Sequence, residues 1–315
     1  MGQFTRDNLS YWARTLAAPF AQAFPINDAV SRTISPVMII GCGRSGNTLL
    51  RSMLVRGGEV AIPPESYVWP TIARGYSRWR YSPWITVVEY VVDAFQRSEF
   101  GLSPSDLSSI KRHAMALAQK ERSLAAVLNL IYESYCNLNG FSGRRWGDKT
   151  PLNVLDIRAI EGIFPASQYI HIFRDPRAVA LSTVKAARTS PGIRESTFAD
   201  SARRWTNSVR NARALGRRVG SKRYHEVRYE DLVSRPEEVL TNVCRFLGQS
   251  YTREMLSFYE MADMLGDVPA HSHHARIYTP VDPGRSKDWE QEISKSDKAT
   301  VDCITSRYRL MLGYV

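Results

Sequence analysis

A short glycine-rich segment constrains the fold of this chain more than any other part of its sequence. An apolar run, Val37–Ile40, leads into it, and an amphipathic run, Leu49–Val55, follows it. Between them the chain reads Gly41-Cys42-Gly43-Arg44-Ser45-Gly46-Asn47-Thr48. A buried strand, a tight loop and the first turn of a helix account for this order of residues. A strand joined to a helix in this way is typical of α/β proteins with a parallel sheet.

The loop itself has the composition of an anion-binding site. Its glycines let backbone N–H groups and the positive end of the following helix dipole point at one place. The spacing Gly41-x4-Gly46-x-Thr48 nearly matches the P-loop of nucleoside triphosphatases, but Asn47 stands where that loop requires lysine. A cation occurs inside the loop instead, at Arg44. We therefore expect a phosphate-like ligand that is held by other donors than those of a triphosphatase.

The chain carries a strong positive charge. Its 315 residues include 42 Lys and Arg against 31 Asp and Glu, which gives a net charge of +11. Nucleic acid, a membrane surface or a small polyanion can each explain such a charge. Because the basic residues are scattered and form no long block, a small polyanionic ligand is favoured and no nucleic-acid partner is expected. Peripheral membrane contact stays open, and the sequence does not indicate an oligomeric state.

Cysteine usage and apolar runs bear on the compartment. The 4 cysteines form no C-x-x-C pair, which is typical of reduced thiols in a reducing compartment. No apolar run reaches the roughly 18 residues that a membrane span needs. Residues 1–25 lack the apolar core and cleavage site of a secretory signal. The sequence therefore predicts a cytoplasmic location.

Composition along the chain suggests three regions. Residues 1–35 resemble an N-terminal arm with a short helix near Ser10–Phe24, and residues 36–315 form the main domain. Within that domain, residues 67–145 read as a helical insertion in which aromatic side chains alternate with arginines. Two interpretations stay open for these aromatics, namely an acceptor-binding wall and ordinary helix packing.

Strand patterns alternate with helical patterns through the rest of the chain. We predict strands at Val37–Ile40, Val60–Ile62, Gln168–Phe173 and Tyr224–Tyr229, and helices at Asn47–Val55, 151–164, 176 onward, Ser201–Arg218, Pro236–Leu247 and Ser294–Leu312. This order predicts an α/β fold with a central, mostly parallel sheet flanked by helices. Ligands of such sheets bind beyond the carboxyl ends of the strands. Four motifs fall there: the glycine-rich loop, Pro63-Pro64-Glu65, Arg174-Asp175-Pro176 and Tyr229-Glu230-Asp231.

Taken together and in order, these motifs resemble the sulfotransferases that use 3′-phosphoadenosine-5′-phosphosulfate (PAPS). The similarity is greatest to the tyrosylprotein and bacterial small-molecule branch, whose first loop reads roughly G-x-x-[RK]-S-G-[TN]-[TS]. Further matches span residues 36–290: Asp148-Lys149-Thr150-Pro151, Arg174-Asp175-Pro176 with Ser182, Trp205, and Arg228-Tyr229-Glu230-Asp231-Leu232. The resemblance implies a sulfotransferase fold of the P-loop nucleoside-triphosphate-hydrolase type.

The resemblance also implies how PAPS, the co-substrate, is bound. The 5′-phosphosulfate is expected over the loop residues Gly43, Arg44, Ser45, Gly46, Asn47 and Thr48, with Arg44 reaching the bridging oxygen. Arg174 and Ser182 are expected to hold the 3′-phosphate, and Tyr229 to contact the adenosine. The loop Arg285-Ser286-Lys287 resembles a basic loop that closes over the cofactor. The expected product is adenosine 3′,5′-bisphosphate (PAP).

On the acceptor side, Glu65 is the expected catalytic base, with Glu59 and His113 as alternatives. Lys149 is expected either to donate to the leaving phosphate or to hold Asp148. Because Pro64 replaces the first acid of the related branch, the acceptor type stays open among a sugar, a lipid, a phenol and a peptide. The expected cytoplasmic location argues against tyrosines of secreted proteins, so saccharide, glycolipid or small-metabolite hydroxyls are favoured.

A sulfuryl group carries one charge where a γ-phosphoryl group carries several, so fixed Arg and Lys donors can replace a metal, and no metal is expected. The cluster His271, His273 and His274 lacks a complete ligand spacing and is interpreted as a polar loop. Two other classes stay open: an ATP-dependent small-molecule kinase with a degenerate P-loop, and a basic surface-binding protein without enzymatic activity.

Overall fold

The computed structural model describes residues 23–189, 197–266 and 277–315. Contacts divide the chain into two compact units. Among the described residues, we call 36–65, 144–157, 167–189, 197–266 and 277–315 the sheet unit, and 23–35, 66–143 and 158–166 the helical unit. The expected helix Ser10–Phe24 falls almost wholly outside the described residues, and the histidines His271, His273 and His274 lie outside them. The expected domain boundaries stay a prediction.

The described residues contain one five-stranded sheet, in which every neighbouring pair is parallel. Its strands are β1 (Val37–Gly41), β2 (Val60–Ala61), β3 (Arg145–Lys149), β4 (Gln168–Phe173) and β5 (Tyr224–Arg228). They lie in the order β2-β3-β1-β4-β5. The central strand β1 is buried along its whole length, which explains its continuous apolar sequence. The predicted α/β class with a parallel sheet is confirmed.

The described residues also form α-helices between the strands and after the last strand. They are α1 (Asn47–Arg56), α2 (Trp69–Trp79), α3 (Trp84–Gln96), α4 (Pro104–Ala116), α5 (Leu124–Leu138), α6 (Ile157–Ile160), α7 (Pro176–Thr189), α8 (Phe198–Val219), α9 (Tyr229–Ser234), α10 (Pro236–Leu247), α11 (Trp289–Glu292) and α12 (Lys295–Met311). Short 3₁₀ segments cover Gln119–Glu121, Pro151–Asp156, Arg253–Leu265 and Pro283–Lys287. None of the described helices combines the length and apolar sequence that crossing a membrane requires.

Strand β3 is the main element that the sequence did not reveal. Its residues Arg145-Trp146-Gly147-Asp148-Lys149 carry three charges and a glycine, so no apolar or alternating pattern marks them. The strand nevertheless lies between β2 and β1, pairing Val60 with Arg145 and Ile39 with Lys149. Lys149 is thereby placed at a strand end beside the glycine-rich loop.

Two further expectations about local structure are wrong. The helix predicted from Pro151 to Phe164 is a 3₁₀ segment, Pro151–Asp156, followed by the short α6. Tyr229 was predicted to end the last strand, but β5 stops at Arg228 and Tyr229 begins α9. The acids Glu230 and Asp231 in the first turn favour that helix start, because they oppose the positive end of its dipole.

The helical unit has a core of its own, built largely from aromatic rings. Trp69 donates a hydrogen bond from Nε1 to the Tyr132 hydroxyl at 2.7 Å, and the two rings lie 5.8 Å apart. Tyr76 and Trp84 are also buried. Within the same unit, Leu124 N donates to the carbonyl of Pro25 at 3.2 Å, which ties the described part of the expected arm to α5. Ordinary packing is therefore the role of Trp69, Tyr76 and Trp84.

Candidate active site

The glycine-rich loop turns sharply between β1 and α1. Gly46, the residue before α1, has φ 94°, and Arg44 adopts φ 69°. A Cβ at Gly46 would collide with the ring of Tyr229, so this position requires glycine on two counts. A Cβ at Gly43 would meet no atom within 4 Å, which shows that the loop is open on that side. The loop therefore has one face closed by Tyr229 and one open face.

Asn47 occupies the place of the P-loop lysine with a different function. Its side chain is buried, and Nδ2 donates to the carbonyl of Cys42 at 2.8 Å. This bond closes the loop from inside, where a lysine would extend over the ligand. Burial also raises the pKa of the Cys42 thiol to about 11, so Cys42 remains a protonated packing residue.

Arg44 points towards α7. Its Nε donates to the Ser182 hydroxyl at 3.1 Å, joining two residues that the sequence assigned to the cofactor site. Ser182 lies in the second turn of α7, whose first turn follows the Arg174-Asp175-Pro176 motif. The structure therefore brings together the loop cation and the second motif, across 138 positions of sequence.

Arg174 and Tyr229 form a stacked pair that contacts the loop through Gly46. The Arg174 guanidinium stacks over the Tyr229 ring at 4.3 Å, and its Nε has no hydrogen-bond partner among the described residues. The Arg174 carbonyl accepts a bond from Trp205 Nε1 at 3.0 Å. Tyr229 also lies against Gly46, so one aromatic ring contacts both Arg174 and the glycine-rich loop.

The backbone beside Arg174 is braced by ionic contacts. Asp175 N donates to Glu230 Oε1 at 3.0 Å. Arg177 grips the Asp175 carboxylate with two bonds, 3.0 Å from Nε and 2.7 Å from Nη2. The Asp175 carboxylate also accepts from Arg177 N at 2.8 Å, as expected of a helix N-cap. The hydrogen bonds of Asp175 with Glu230 and Arg177 involve charged groups and therefore hold the start of α7 in one orientation.

Lys149 joins the loop to Glu65. The lysine side chain is fully buried, and its Nζ donates to Thr48 Oγ1 at 3.3 Å and forms an ion pair with Glu65 Oε1. The Glu65 side chain is 16% exposed. Adjacent Asp148 faces the other way along the strand and accepts bonds from Asn153 Nδ2 at 2.8 Å and Thr150 Oγ1 at 3.3 Å. Lys149 therefore serves the loop and Glu65, and Asp148 anchors the turn after β3.

The remaining predicted site residues are Glu59, His113 and the segment Arg285-Ser286-Lys287. Lys287 ends the 3₁₀ segment that also carries Arg285 and Ser286, and this segment packs against α9, the helix that Tyr229 begins. Glu59 is exposed, and its Oε1 accepts from Ser250 N at 2.9 Å. His113 is exposed in the last turn of α4, in the helical unit. Within the described ranges, no group of three or more His, Cys, Asp or Glu is arranged to hold a metal ion.

A family model described as the sulfotransferase family matches residues 36–253. The chain belongs to the sulfotransferase family. A protein-tyrosine sulfotransferase of Drosophila melanogaster is 25% identical over 266 residues, which cover 84% of this chain and 48% of that protein. An omega-hydroxy-beta-dihydromenaquinone-9 sulfotransferase of Mycobacterium bovis is 35% identical over 107 residues, 32% of this chain and 28% of that protein. This chain thus spans about half the length of the fly relative.

A solved structure supports the same family. The sulfotransferase domain of the olefin synthase of Synechococcus PCC 7002 superposes with a TM-score of 0.59 at 25% identity, covering 91% of this chain and 98% of that domain. The resemblance inferred from the motifs is confirmed at the level of family and fold. The two relatives are named for different acceptors, a protein tyrosine and a menaquinone derivative, so the family does not fix the acceptor.

Sequence reasoning missed the residues that hold this sulfotransferase-family site in place. Glu230 and Arg177 brace Asp175, and Arg51 is fully buried behind the loop. An arginine two residues after an N-capping aspartate is a usable signal, because the two side chains can reach each other. Arg51 had no such signal, because its partners are backbone carbonyls far along the chain.

Proposed function

We propose that this protein transfers a sulfuryl group from PAPS to an acceptor hydroxyl and releases PAP. The observation that carries the proposal is the position of Lys149, which is bonded to Thr48 of the anion-binding loop and paired with Glu65. One buried cation thereby links the loop that would hold the phosphosulfate to the carboxylate that would activate the acceptor. Membership of the sulfotransferase family supports the same reaction.

The loop fits a phosphosulfate on its open face. Backbone amides of Ser45, Gly46, Asn47 and Thr48 belong to the loop and the first turn of α1, where helical N–H groups lack intrahelical partners. The dipole of α1 adds positive potential at the same place. The empty space above Gly43 gives an anion access to the loop.

The second anion subsite in this proposal takes the 3′-phosphate. Arg174 supplies a planar fork of donors suited to a phosphate, and Ser182 supplies a hydroxyl next to Arg44. The Tyr229 ring contacts both Arg174 and Gly46, which connects the proposed 3′-phosphate subsite with the loop. The basic segment Arg285-Ser286-Lys287, adjacent to α9, is proposed to close over the nucleotide.

The chemistry is an in-line displacement at sulfur. The acceptor oxygen attacks sulfur while the bond from sulfur to the bridging oxygen breaks, and the bond's electron pair stays on the phosphate of PAP. Glu65 takes the acceptor proton as general base. Protonation removes the negative charge that pairs with Lys149, so the ammonium is released when charge develops on the leaving oxygen. Arg44 and Lys149 are then the cations that stabilise that charge.

For the acceptor we propose a saccharide, glycolipid or small-metabolite hydroxyl. Support comes from Pro64, which departs from the paired acids of the tyrosylprotein branch. The relatives named for a protein tyrosine and for a menaquinone derivative share only an acceptor hydroxyl. Transfer of ³⁵S from labelled PAPS to a panel of sugars, lipid alcohols and tyrosine peptides tests this class. Transfer to tyrosine peptides alone would contradict the acceptor class and leave the reaction type intact.

The role of Glu65 is tested by comparing two matched variants. Glu65→Gln keeps the size of the side chain and removes the base, so turnover should fall by about 10²–10⁴-fold. Glu59→Gln changes the alternative acid, which is bonded to Ser250, and should turn over within about twofold of wild type. PAP affinity, measured by calorimetry, should be retained in both. Normal turnover by Glu65→Gln would remove Glu65 as the base, and loss in Glu59→Gln alone would assign the role to Glu59.

A further inference from the structure

A fully buried arginine lies directly behind the candidate active site. Arg51 is on α1, three residues after Thr48, and its side chain has no exposed surface. Charged side chains are almost never fully buried unless their donors are bonded, because removing the charge from water is unfavourable. Arg51 Nε donates to the carbonyl of Ile62 at 2.8 Å, and Nη2 donates to the carbonyl of Leu265 at 2.9 Å.

The two carbonyls belong to segments that lead to or contact Pro64, the residue before Glu65. Ile62 immediately precedes Pro63-Pro64-Glu65, and prolines have no N–H with which to anchor their own backbone. Leu265 immediately precedes Gly266, and a Cβ at Gly266 would lie 3.1 Å from Pro64 Cγ. The backbone at Gly266 therefore packs against Pro64. One guanidinium thus ties both segments to α1, the helix that carries the anion-binding loop.

Glu65 is consequently held from two directions. Its carboxylate pairs with Lys149, and the backbone leading to it is fixed at Ile62 by Arg51. The rigid prolines between Ile62 and Glu65 transmit the position of the Ile62 carbonyl to the carboxylate, because proline restricts φ and biases the residue before it. A lysine at position 51 would keep the charge but lose the planar fork that reaches two carbonyls.

We propose that Arg51 is a positioning residue that fixes Glu65 relative to the anion-binding loop, an inference that rests on the proposed function. A shift of about 1 Å between a catalytic group and its target can lower a rate by about 10²-fold. Arg51 acts on the reaction only through Glu65, so its contribution disappears when Glu65 can no longer act as a base. That dependence separates a positioning role from a general contribution to stability.

The test measures kcat for Arg51→Lys in the wild-type background and in the Glu65→Gln background. We expect kcat to fall at least about 10-fold in the first and less than about twofold in the second. PAP affinity should change less than threefold in both. Arg145→Lys is the matched control, because Arg145 Nη1 also donates to a backbone carbonyl, that of Leu247 at 3.1 Å, and Arg145 begins β3 whereas Lys149, the partner of Glu65, ends it. It should leave kcat unchanged.

Gly266→Ala tests the same positioning of Glu65 without changing a buried charge. Gly266 has φ 72°, so alanine strains the turn and presses on Pro64. This variant should lower kcat in the wild-type background and not in Glu65→Gln. Equal falls in both backgrounds for Arg51→Lys, or for Gly266→Ala should Arg51→Lys not fold, would overturn the inference. A wild-type protein that neither binds PAP nor transfers sulfate would instead refute the proposed function.

Discussion

The ion pair between Lys149 and Glu65 makes a quantitative prediction about stability. The Lys149 side chain is fully buried and that of Glu65 is 16% exposed, so removing one partner leaves the other charge poorly solvated. Breaking a buried pair in this way destabilises proteins by about 3–5 kcal/mol. Because Glu65 retains some contact with water, we expect Lys149→Met to lower the free energy of unfolding by about 3 kcal/mol.

The double variant should lose less stability than the two single variants together. Glu65→Gln keeps an amide oxygen that accepts from Lys149, beside Thr48 Oγ1 at 3.3 Å, so we expect it to lower stability by a smaller amount, about 2 kcal/mol. Lys149→Met combined with Glu65→Gln contains neither charge. Its loss in free energy of unfolding should therefore be smaller than the sum of the two single losses by about 2 kcal/mol, because the effects of residues in contact are not additive.

Denaturant unfolding followed by circular dichroism measures all four proteins at pH 7. The matched control combines Lys149→Met with Glu59→Gln, whose carboxylate is bonded to Ser250 N, and this pair should be additive within about 0.5 kcal/mol. If Lys149→Met and Glu65→Gln were additive as well, the two charges would not stabilise each other, and the predicted ion-pair energy would be wrong.

Three further variants test separate parts of the structure. Gly46→Ala places a Cβ against Tyr229 at φ 94°, and PAP affinity measured by calorimetry should fall about 5–30-fold; an unchanged affinity would contradict the loop geometry. Asn47→Lys restores the P-loop lysine but loses the bond to Cys42, so a thermal-shift assay should show weaker PAP binding and no gain for ATP–Mg²⁺, and a gain would favour a kinase. In Glu226, burial tends to raise the pKa, but hydrogen bonds from other groups outweigh it and lower the pKa from 4.5 to about 2. Glu226 therefore contributes about 3 kcal/mol to the free energy of unfolding above about pH 5, and this contribution is lost as the pH falls to about 2. The free energy of unfolding of Glu226→Gln should depend less on pH over that range than that of wild type, and an equal pH dependence would show that Glu226 contributes nothing.

The anion-binding loop and its partners could be read from the sequence because they form contiguous motifs. The order Gly41 to Thr48 specifies a strand, a turn and a helix start by itself, and the structure has all three. Arg174 and Ser182 were chosen from a motif with fixed spacing, and Ser182 does meet Arg44. The roles of these residues in binding a cofactor remain predictions.

Contacts between distant segments could not be predicted in the same way. Strand β3 has no apolar pattern, so its residues did not predict a strand beside β1, and only the resemblance to the sulfotransferases implied that Lys149 reaches the loop. The pairing of Lys149 with Glu65, 84 residues apart, follows from the adjacency of β2 and β3 in the sheet. The bond from Asn47 to the carbonyl of Cys42 depends on the loop backbone, which a residue pattern does not describe.

The loop and its arginines are proposed to bind a nucleotide with a 3′-phosphate and a 5′-phosphosulfate. A thermal-shift measurement of the wild-type protein with PAP and, separately, with ATP–Mg²⁺ tests it most directly. At a PAP concentration of about 100 times Kd, binding should stabilise the fold by about 2.7 kcal/mol, which for a chain of this size raises Tm by roughly 5 °C. ATP–Mg²⁺ should produce a smaller shift. Stabilisation by ATP–Mg²⁺ alone would contradict the proposal that the site binds PAPS, and stabilisation by neither nucleotide would favour a non-enzymatic binding protein.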